Sequence, residues 1–287
     1  MMRIGILANI HKHESESLVR KLIKWILDQG HKPLLWEDLA FLDSYGGLTL
    51  AEDKFRQETD VVVAIGGDGT ILAAARAVGL QGVPILGVNL GTLGFLAEIV
   101  PDNLFMAMQK VLDGSYDIDE RMLVKARIGK RGKWEYALND LVIDKGGFSR
   151  VIGLHVRISG HFVGSYTADG LIISTPTGST AYSLSAGGPI VNPKMKALIA
   201  TPICPHSLAV RPLIIDTDEL LTIQVYSDHE IATLTIDGQI GRRLRSGDVV
   251  TATMADRTVK LVRVDSKSFY EILRTKLKWG IKPAVED

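Results

Sequence analysis

One carboxylate sits among glycines where an apolar run turns into a helical one. Val61-Val62-Val63-Ala64-Ile65 leads into Gly66-Gly67-Asp68-Gly69-Thr70, and Ile71-Leu72-Ala73-Ala74-Ala75-Arg76 follows. Glycines let backbone N–H groups approach a ligand with no Cβ in the way. A helix N-terminus adds free N–H donors and a positive dipole end, a setting that suits phosphate. A carboxylate repels phosphate, so Asp68 has two chemical readings: a metal ligand, or a base acting on an attacking hydroxyl. A glycine-rich strand-to-helix turn without chemistry is the bland alternative, because such a motif needs context.

Context comes from three further groups. Asp169-Gly170 opens a run that reaches Thr175-Pro176-Thr177-Gly178-Ser179-Thr180-Ala181-Tyr182-Ser183-Leu184-Ser185, with Gly187-Gly188 after it. Hydroxyls crowded on a strand-to-helix turn can cap the helix and also hydrogen-bond a polar ligand. Tyr182 adds a stacking face for a base. Asn139-Asp140 interrupts an otherwise apolar strand expected over Trp134 to Ile143. If buried, both groups need partners. Side by side they can take the two hydroxyls of a ribose, or they mark a strand edge or bulge. Asn9, His11 and Lys12 follow the first strand and either meet phosphates or form a solvated loop.

These residues require elements to hold them. Strands are expected at Arg3–Ile10, Lys32–Trp36, Val61–Ile65 and Val83–Val88, and helices at Glu14–Gln29, after Gly69 to about Val78, and at Pro101–Leu112. Apolar strands alternating with helices predict a parallel sheet covered on both faces, with ligands beyond the carboxyl ends of its strands. Asp68 falls at such an end, as does Asn89-Leu90-Gly91-Thr92-Leu93-Gly94-Phe95. From about Ile118 the period changes to two. Hairpins are expected at Arg121–Ile128 with Trp134–Ile143, and at Val151–Ile158 with Phe162–Tyr166. Further strands are expected at Leu171–Ser174, Leu220–Val225, Ile231–Ile236, Val249–Met254 and Val259–Val264, then a helix over Phe269–Trp279. The fold class is thus α/β plus all-β. Its parts are an N-terminal parallel-sheet domain (1–115), a β-sandwich-like domain (116–266) and a last helix (267–287).

Composition narrows the function. Lys+Arg and Asp+Glu both number 33, so the net charge is zero, which argues against nucleic acid as the partner. The seven His show no zinc spacing. The single cysteine, Cys204, forms no internal disulfide and suits a reducing compartment. No signal peptide and no apolar stretch of the ~20 residues of a membrane span are visible, so a cytoplasmic location is expected.

With these motifs in hand, the chain resembles the NAD kinases of the bacterial type. The resemblance rests on Gly66-Gly67-Asp68-Gly69-Thr70, Gly91-Thr92-Leu93-Gly94-Phe95, Asn139-Asp140 and Asp169-Gly170 through Ser185 with Gly187-Gly188, in the family's order, over nearly the whole chain. The first motif is shared with phosphofructokinases and lipid kinases; the Thr175–Tyr182 run is far more specific. The resemblance implies phosphorylation of the adenosine-ribose 2′-hydroxyl of NAD by ATP or polyphosphate with Mg²⁺, giving NADP. It implies that Asp68 is the general base and that Gly66, Gly67, Gly69 and Thr70 form the phosphate-side turn, Gly69 also touching NAD. Asn139 and Asp140 would hold the acceptor ribose, and Asp169 would join the NAD-binding set. Thr177, Thr180, Ala181, Tyr182 and Ser185 would line the adenosine pocket. Phe95 would lie near the nicotinamide, and Asp237 would reach that end from a neighbouring subunit of a homodimer or homotetramer. The last helix would return to the first domain, and the site would lie in the cleft between domains. The metal ligands stay unassigned. Asp140 stands where the family usually has glutamate, and Thr167 where many members have arginine. A lipid kinase and a non-catalytic nucleotide sensor are the competing readings; the neutral charge counts against the first and the intact Asp68 against the second.

Overall fold

The computed structural model describes residues 1–44, 46–91, 94–97, 99–146, 151–227, 232–264 and 267–279. The chain forms two compact units, one of residues 1–120 with 259–287 and one of residues 121–258.

The first unit alternates strand and helix: β1 Arg3–Ala8, α1 Ser15–Asp28, β2 Lys32–Trp36, β3 Thr49–Leu50, α2 Glu52–Glu58, β4 Val61–Gly66, α3 Asp68–Val78, β5 Ile85–Asn89 and α4 Leu104–Leu112. The strands pair in parallel in the order β3-β2-β1-β4-β5. Period-two geometry divides each strand between two faces. Ile4, Ile6, Val61, Val63, Ile65, Leu86 and Val88 share one core with Leu18, Val19, Leu22, Ile23 and Ile26 of α1 and with Leu104, Ala107, Met108 and Val111 of α4. On the other face Phe55 of α2 packs at Gly5 and Ile71 of α3 packs at Gly87. A sheet buried on both faces explains why β4 is apolar without alternation and buried throughout. It also leaves the carboxyl ends of β1, β4 and β5 as the place where loops are free to carry chemistry.

The second unit continues with β6 Asp117–Ile128, which enters it from the first, then β7 Glu135–Ala137, β8 Asp140–Asp144, β9 Ile152–Ile158, β10 His161–Ala168, β11 Gly170–Ser174, the short helix α5 Tyr182–Ser185, β12 Leu198–Ile203, β13 Leu213–Ile215, β14 Leu221–Tyr226, β15 Ala232–Ile236, β16 Ile240–Leu244 and β17 Val249–Arg263. Antiparallel pairing runs β10-β9-β14-β17 in one sheet, with β6 on β17 and β7 on β6. A second antiparallel sheet runs β13-β12-β11-β8-β15-β16. Inward residues of both sheets make one core, with Leu154, Val156, Ile223 and Val225 from the first and Leu141, Ile143, Leu171 and Ile173 from the second. This is the expected sandwich. The end of β17 pairs in parallel with β5 through Leu261 and Ile85, both in the first unit. The last helix, α6 Phe269–Leu277, starts at a capping box of Ser268 and Glu271. Among the described residues no helix is long and apolar enough to cross a membrane.

Two expectations need correction. The strand expected over Trp134–Ile143 is two strands in different sheets: β7 pairs with β6 and β8 pairs with β11 and β15. The break falls at Leu138-Asn139, whose N–H groups bond a side chain instead of a ladder. The strands expected at Val249–Met254 and Val259–Val264 are one, because exposed Asp256-Arg257 continues β17 rather than turning it, and Asp256 accepts a hydrogen bond from Lys125 Nζ at 3.1 Å. Ile231, Thr92, Leu93 and the chain beyond Trp279 lie outside the described residues.

Candidate functional site

In the first unit, Asp68 is the first residue of α3, with Gly67 in the capping position. The helix forms because Ile71, Leu72, Ala74, Ala75, Ala77 and Val78 bury one broad face. Its start is fixed by the end of β4, so Asp68 is delivered to the carboxyl edge of the sheet. The carboxylate does not point freely into solvent. Oδ2 accepts the Phe95 N–H at 2.8 Å, and Oδ1 accepts those of Leu96 and Ala97 at 3.1 and 3.2 Å. Hydrogen bonds to a charged group are worth about 1.5–3 kcal/mol each, so this strap ties the segment after β5 to the start of α3. The approach requires Gly94: a Cβ there would land on Asp68 Oδ1. Gly66, Gly67, Gly69, Thr70 and Phe95 therefore gather around Asp68. Thr70 is buried and its N–H bonds the Gly67 carbonyl at 2.9 Å, closing the first turn.

In the second unit, the break between β7 and β8 places Asn139 and Asp140. Asp237, in the β15–β16 turn, holds it from one side. Its carboxylate accepts the N–H groups of Leu138, Asn139 and Asp140 at 2.9, 2.7 and 3.2 Å. Thr175 holds it from the other. Its hydroxyl donates to the Leu138 carbonyl at 2.6 Å and its N–H to that of Asn139 at 2.9 Å. The Thr175 hydroxyl oxygen also accepts the Gly178 N–H at 3.1 Å. Gly178 must be glycine here, since a Cβ would strike the Asn139 carbonyl. Asn139, Asp140, Ala181, Tyr182, Thr235 and Asp237 line a cavity of about 340 Å³.

The hydroxyl-rich run divides by burial. The Ser179 hydroxyl donates to the Pro176 carbonyl at 2.6 Å and accepts the Val191 N–H at 3.0 Å; Ser183 bonds Thr201 at 2.9 Å. With Thr175 these are internal staples. The Thr177 hydroxyl accepts from the buried Arg121 guanidinium at 3.2 Å, and that of Thr180 donates to the Thr177 carbonyl at 3.3 Å. Tyr182 is 47% exposed and Ser185 is exposed, so both face outward. Asp169 is paired with Lys145 at 2.8 Å. Sequence reasoning passed over Thr175 and Arg121 as positioning residues. Thr175 lay hidden among equivalent hydroxyls, and Arg121 looked like an ordinary strand charge.

Asp140 is only 4% exposed. Burial, and next the charge of Asp237, push its carboxyl up to about 7. A raised carboxyl means that the folded protein binds a proton that the unfolded chain has released, so this group's contribution to stability falls as pH rises from about 4 to 7.

Two outcomes follow for this unit. Asp237→Ala strands three N–H groups, so denaturant unfolding is expected to show a loss of about 2–3 kcal/mol, and an unchanged midpoint would refute the strap. Asp140→Asn mimics the protonated acid, so the fall in stability between pH 4 and 7 should flatten in melts across that range; a pH profile identical to the parent would contradict the buried-carboxyl assignment.

Comparison with known proteins places this geometry. Residues 4–116 match the family described as ATP-NAD kinase N-terminal domain, and residues 138–264 match ATP-NAD kinase C-terminal domain. The chain is 44% identical to the NAD kinase of Geotalea daltonii over 283 residues, 98% of this chain and 99% of that one. Yeast NADH kinase, solved in complex with NADH, superposes with a TM-score of 0.91 at 25% identity, over 100% of this chain and 90% of the other. An NAD kinase from Archaeoglobus fulgidus, solved with ATP, shares the fold at a TM-score of 0.77 and 22% identity, over 96% and 99% of the chains.

Proposed function

The chain belongs to the NAD kinase family and is an enzyme that phosphorylates NAD, and on that footing we propose that it transfers the terminal phosphoryl group of ATP to the adenosine-ribose 2′-hydroxyl, with Asp68 receiving the hydroxyl proton. The observation that carries this reading is the fixed Asp68 carboxylate at the head of α3, beside N–H groups that suit phosphate.

An oxygen already serving N–H donors is a poor instrument for removing an alcohol proton in advance. It is well suited to orienting the hydroxyl and taking its proton late, as the oxygen–phosphorus bond forms and the bond to the ADP leaving group breaks. Most of the acceleration then comes from position and from neutralising phosphate charge. Asn139 and Asp140 take the ribose hydroxyls, held in place by Asp237 and Thr175. Thr177, Thr180, Ala181, Tyr182 and Ser185 receive the adenosine, the Tyr182 ring stacking on the base. Gly69, Phe95 and Asp169 complete the NAD-binding set. Asp237 is committed to its own chain's N–H groups, which supports a positioning role for it within one subunit.

Mg²⁺ fits as a companion of the donor. Among the described residues no three His, Cys, Asp or Glu side chains gather into a cage. Magnesium is commonly held by substrate phosphates, water and one or two carboxylates. Phosphate oxygens and water would fill most of its shell, and the ion would neutralise charge on the transferred group. A homodimer or homotetramer is supported by the edge strands β10 and β13, which expose Phe162 and Val163 and Leu213 and Ile214.

The test is Asp68→Asn. Turnover is expected to fall by about a hundredfold or more, while NAD binding by calorimetry stays within a few-fold of the parent. Turnover near the parent level would sink the role of Asp68.

A further inference from the structure

Among the described residues, Lys12 is a cation at the glycine turn whose placement is unexplained by the fold. It lies in the loop after β1. That loop is short and stapled: the Asn9 N–H bonds the Ile65 carbonyl at 2.9 Å, the Asn9 side chain accepts the His11 N–H at 3.1 Å, and the Asn9 carbonyl accepts that of Lys12 at 3.2 Å. Lys12 is thereby turned over two separate glycine segments. A Cβ placed on Gly67 or Gly91 would stand 3.5 or 3.4 Å from its Nζ. The Gly91 segment is itself anchored, through Leu90 N–H on the Gly66 carbonyl at 3.0 Å and Gly91 N–H on Asn89 Oδ1 at 3.0 Å.

Among the described residues the Lys12 ammonium has no hydrogen-bond or ion-pair partner. It is half-buried. A half-buried ammonium directed at glycine backbone, with no carboxylate on it, loses hydration without a compensating charge. The neighbouring Asp68 carboxylate is turned to the Phe95–Ala97 strap. An anion brought against Gly67 would meet the Lys12 ammonium beside the positive end of α3.

We propose that Lys12 is a donor-binding residue, its ammonium seated on the phosphate chain of the phosphoryl donor between Gly67 and Gly91. The inference deepens the reading that the donor phosphates lie at the glycine turn. Because the contact is to phosphate and not to a nucleoside, it serves ATP and inorganic polyphosphate alike.

Lys12→Ala and Lys12→Arg in the full chain test this. Lys12→Ala should raise KM for ATP by roughly tenfold or more, as expected for a lost charge-assisted contact, and should raise it for polyphosphate if that donor is used. Inhibition by inorganic tripolyphosphate, competitive with ATP, should weaken in parallel. NAD affinity measured by calorimetry without donor, and the melting temperature, should stay with the parent. Lys12→Arg, which keeps the charge, should recover most of the ATP affinity. Donor KM, kcat and tripolyphosphate inhibition all within twofold of the parent in Lys12→Ala would overturn the proposal. An equal loss of NAD affinity and melting temperature would do the same by showing a structural role. If Lys12→Ala is normal while Asp68→Asn is inactive, Lys12 alone is misassigned. If Asp68→Asn is active, the reading of the turn itself fails.

Discussion

A single aspartate gathering three successive backbone N–H groups is the device on which an irregular segment of each unit rests. Asp68 gathers those of Phe95, Leu96 and Ala97. Asp237 gathers those of Leu138, Asn139 and Asp140. Phe95–Ala97 and Leu138-Asn139 leave regular pairing and have no ladder to satisfy them, while Asp140 opens β8. A buried N–H without an acceptor costs about 1–3 kcal/mol, so an irregular segment of this kind needs a local acceptor to exist at all. An ionised carboxylate offers two oxygens and several lone pairs, and suits the task better than a hydroxyl or an amide. Irregular backbone, the form that places functional groups where a strand cannot, is thus held as firmly as a sheet.

The device has a penalty in the second unit. The charge that fixes the Asn139-Asp140 bend lies beside Asp140, a carboxyl already buried. Each negative charge disfavours the other, and desolvation adds to the repulsion. The ionised form of Asp140 accepts hydrogen bonds best, and the surroundings oppose that form. The bend therefore trades ease of ionisation at Asp140 for precision of position.

Much of this was legible in the residues. The Gly66–Thr70 turn, the α3 face and the parallel sheet follow from an apolar strand feeding a 3.6-residue period. What stayed hidden has physical causes. The split of Trp134–Ile143 into β7 and β8 shows in the residues only as the Asn139-Asp140 interruption, since the carboxylate that holds the break lies almost a hundred residues away. The unbroken β17 looked like two strands because Asp256-Arg257 has turn-like polarity, which an exposed stretch of strand also tolerates. Among the hydroxyls of the Thr175 run, burial separates staples from surface, and burial is a property of the assembled sandwich. Asp237 was expected to reach a ligand from a neighbouring subunit, and its bonds to the Leu138, Asn139 and Asp140 N–H groups could be read only from the fold.

The crossing at Leu138-Asn139 ties the Asn139-Asp140 pair to global order. Its upstream strand belongs to one sheet of the sandwich and its downstream strand to the other. Thr175, directly after β11 of the six-stranded sheet, bonds the Leu138 carbonyl there. Such a bend cannot form as a local loop and wait for the rest, because its two flanks are aligned only once both sheets have docked. Anything that binds the folded form at this bend is thereby coupled to the cooperative folding of the whole sandwich, and slowed amide exchange on binding would spread through strands far from the bend.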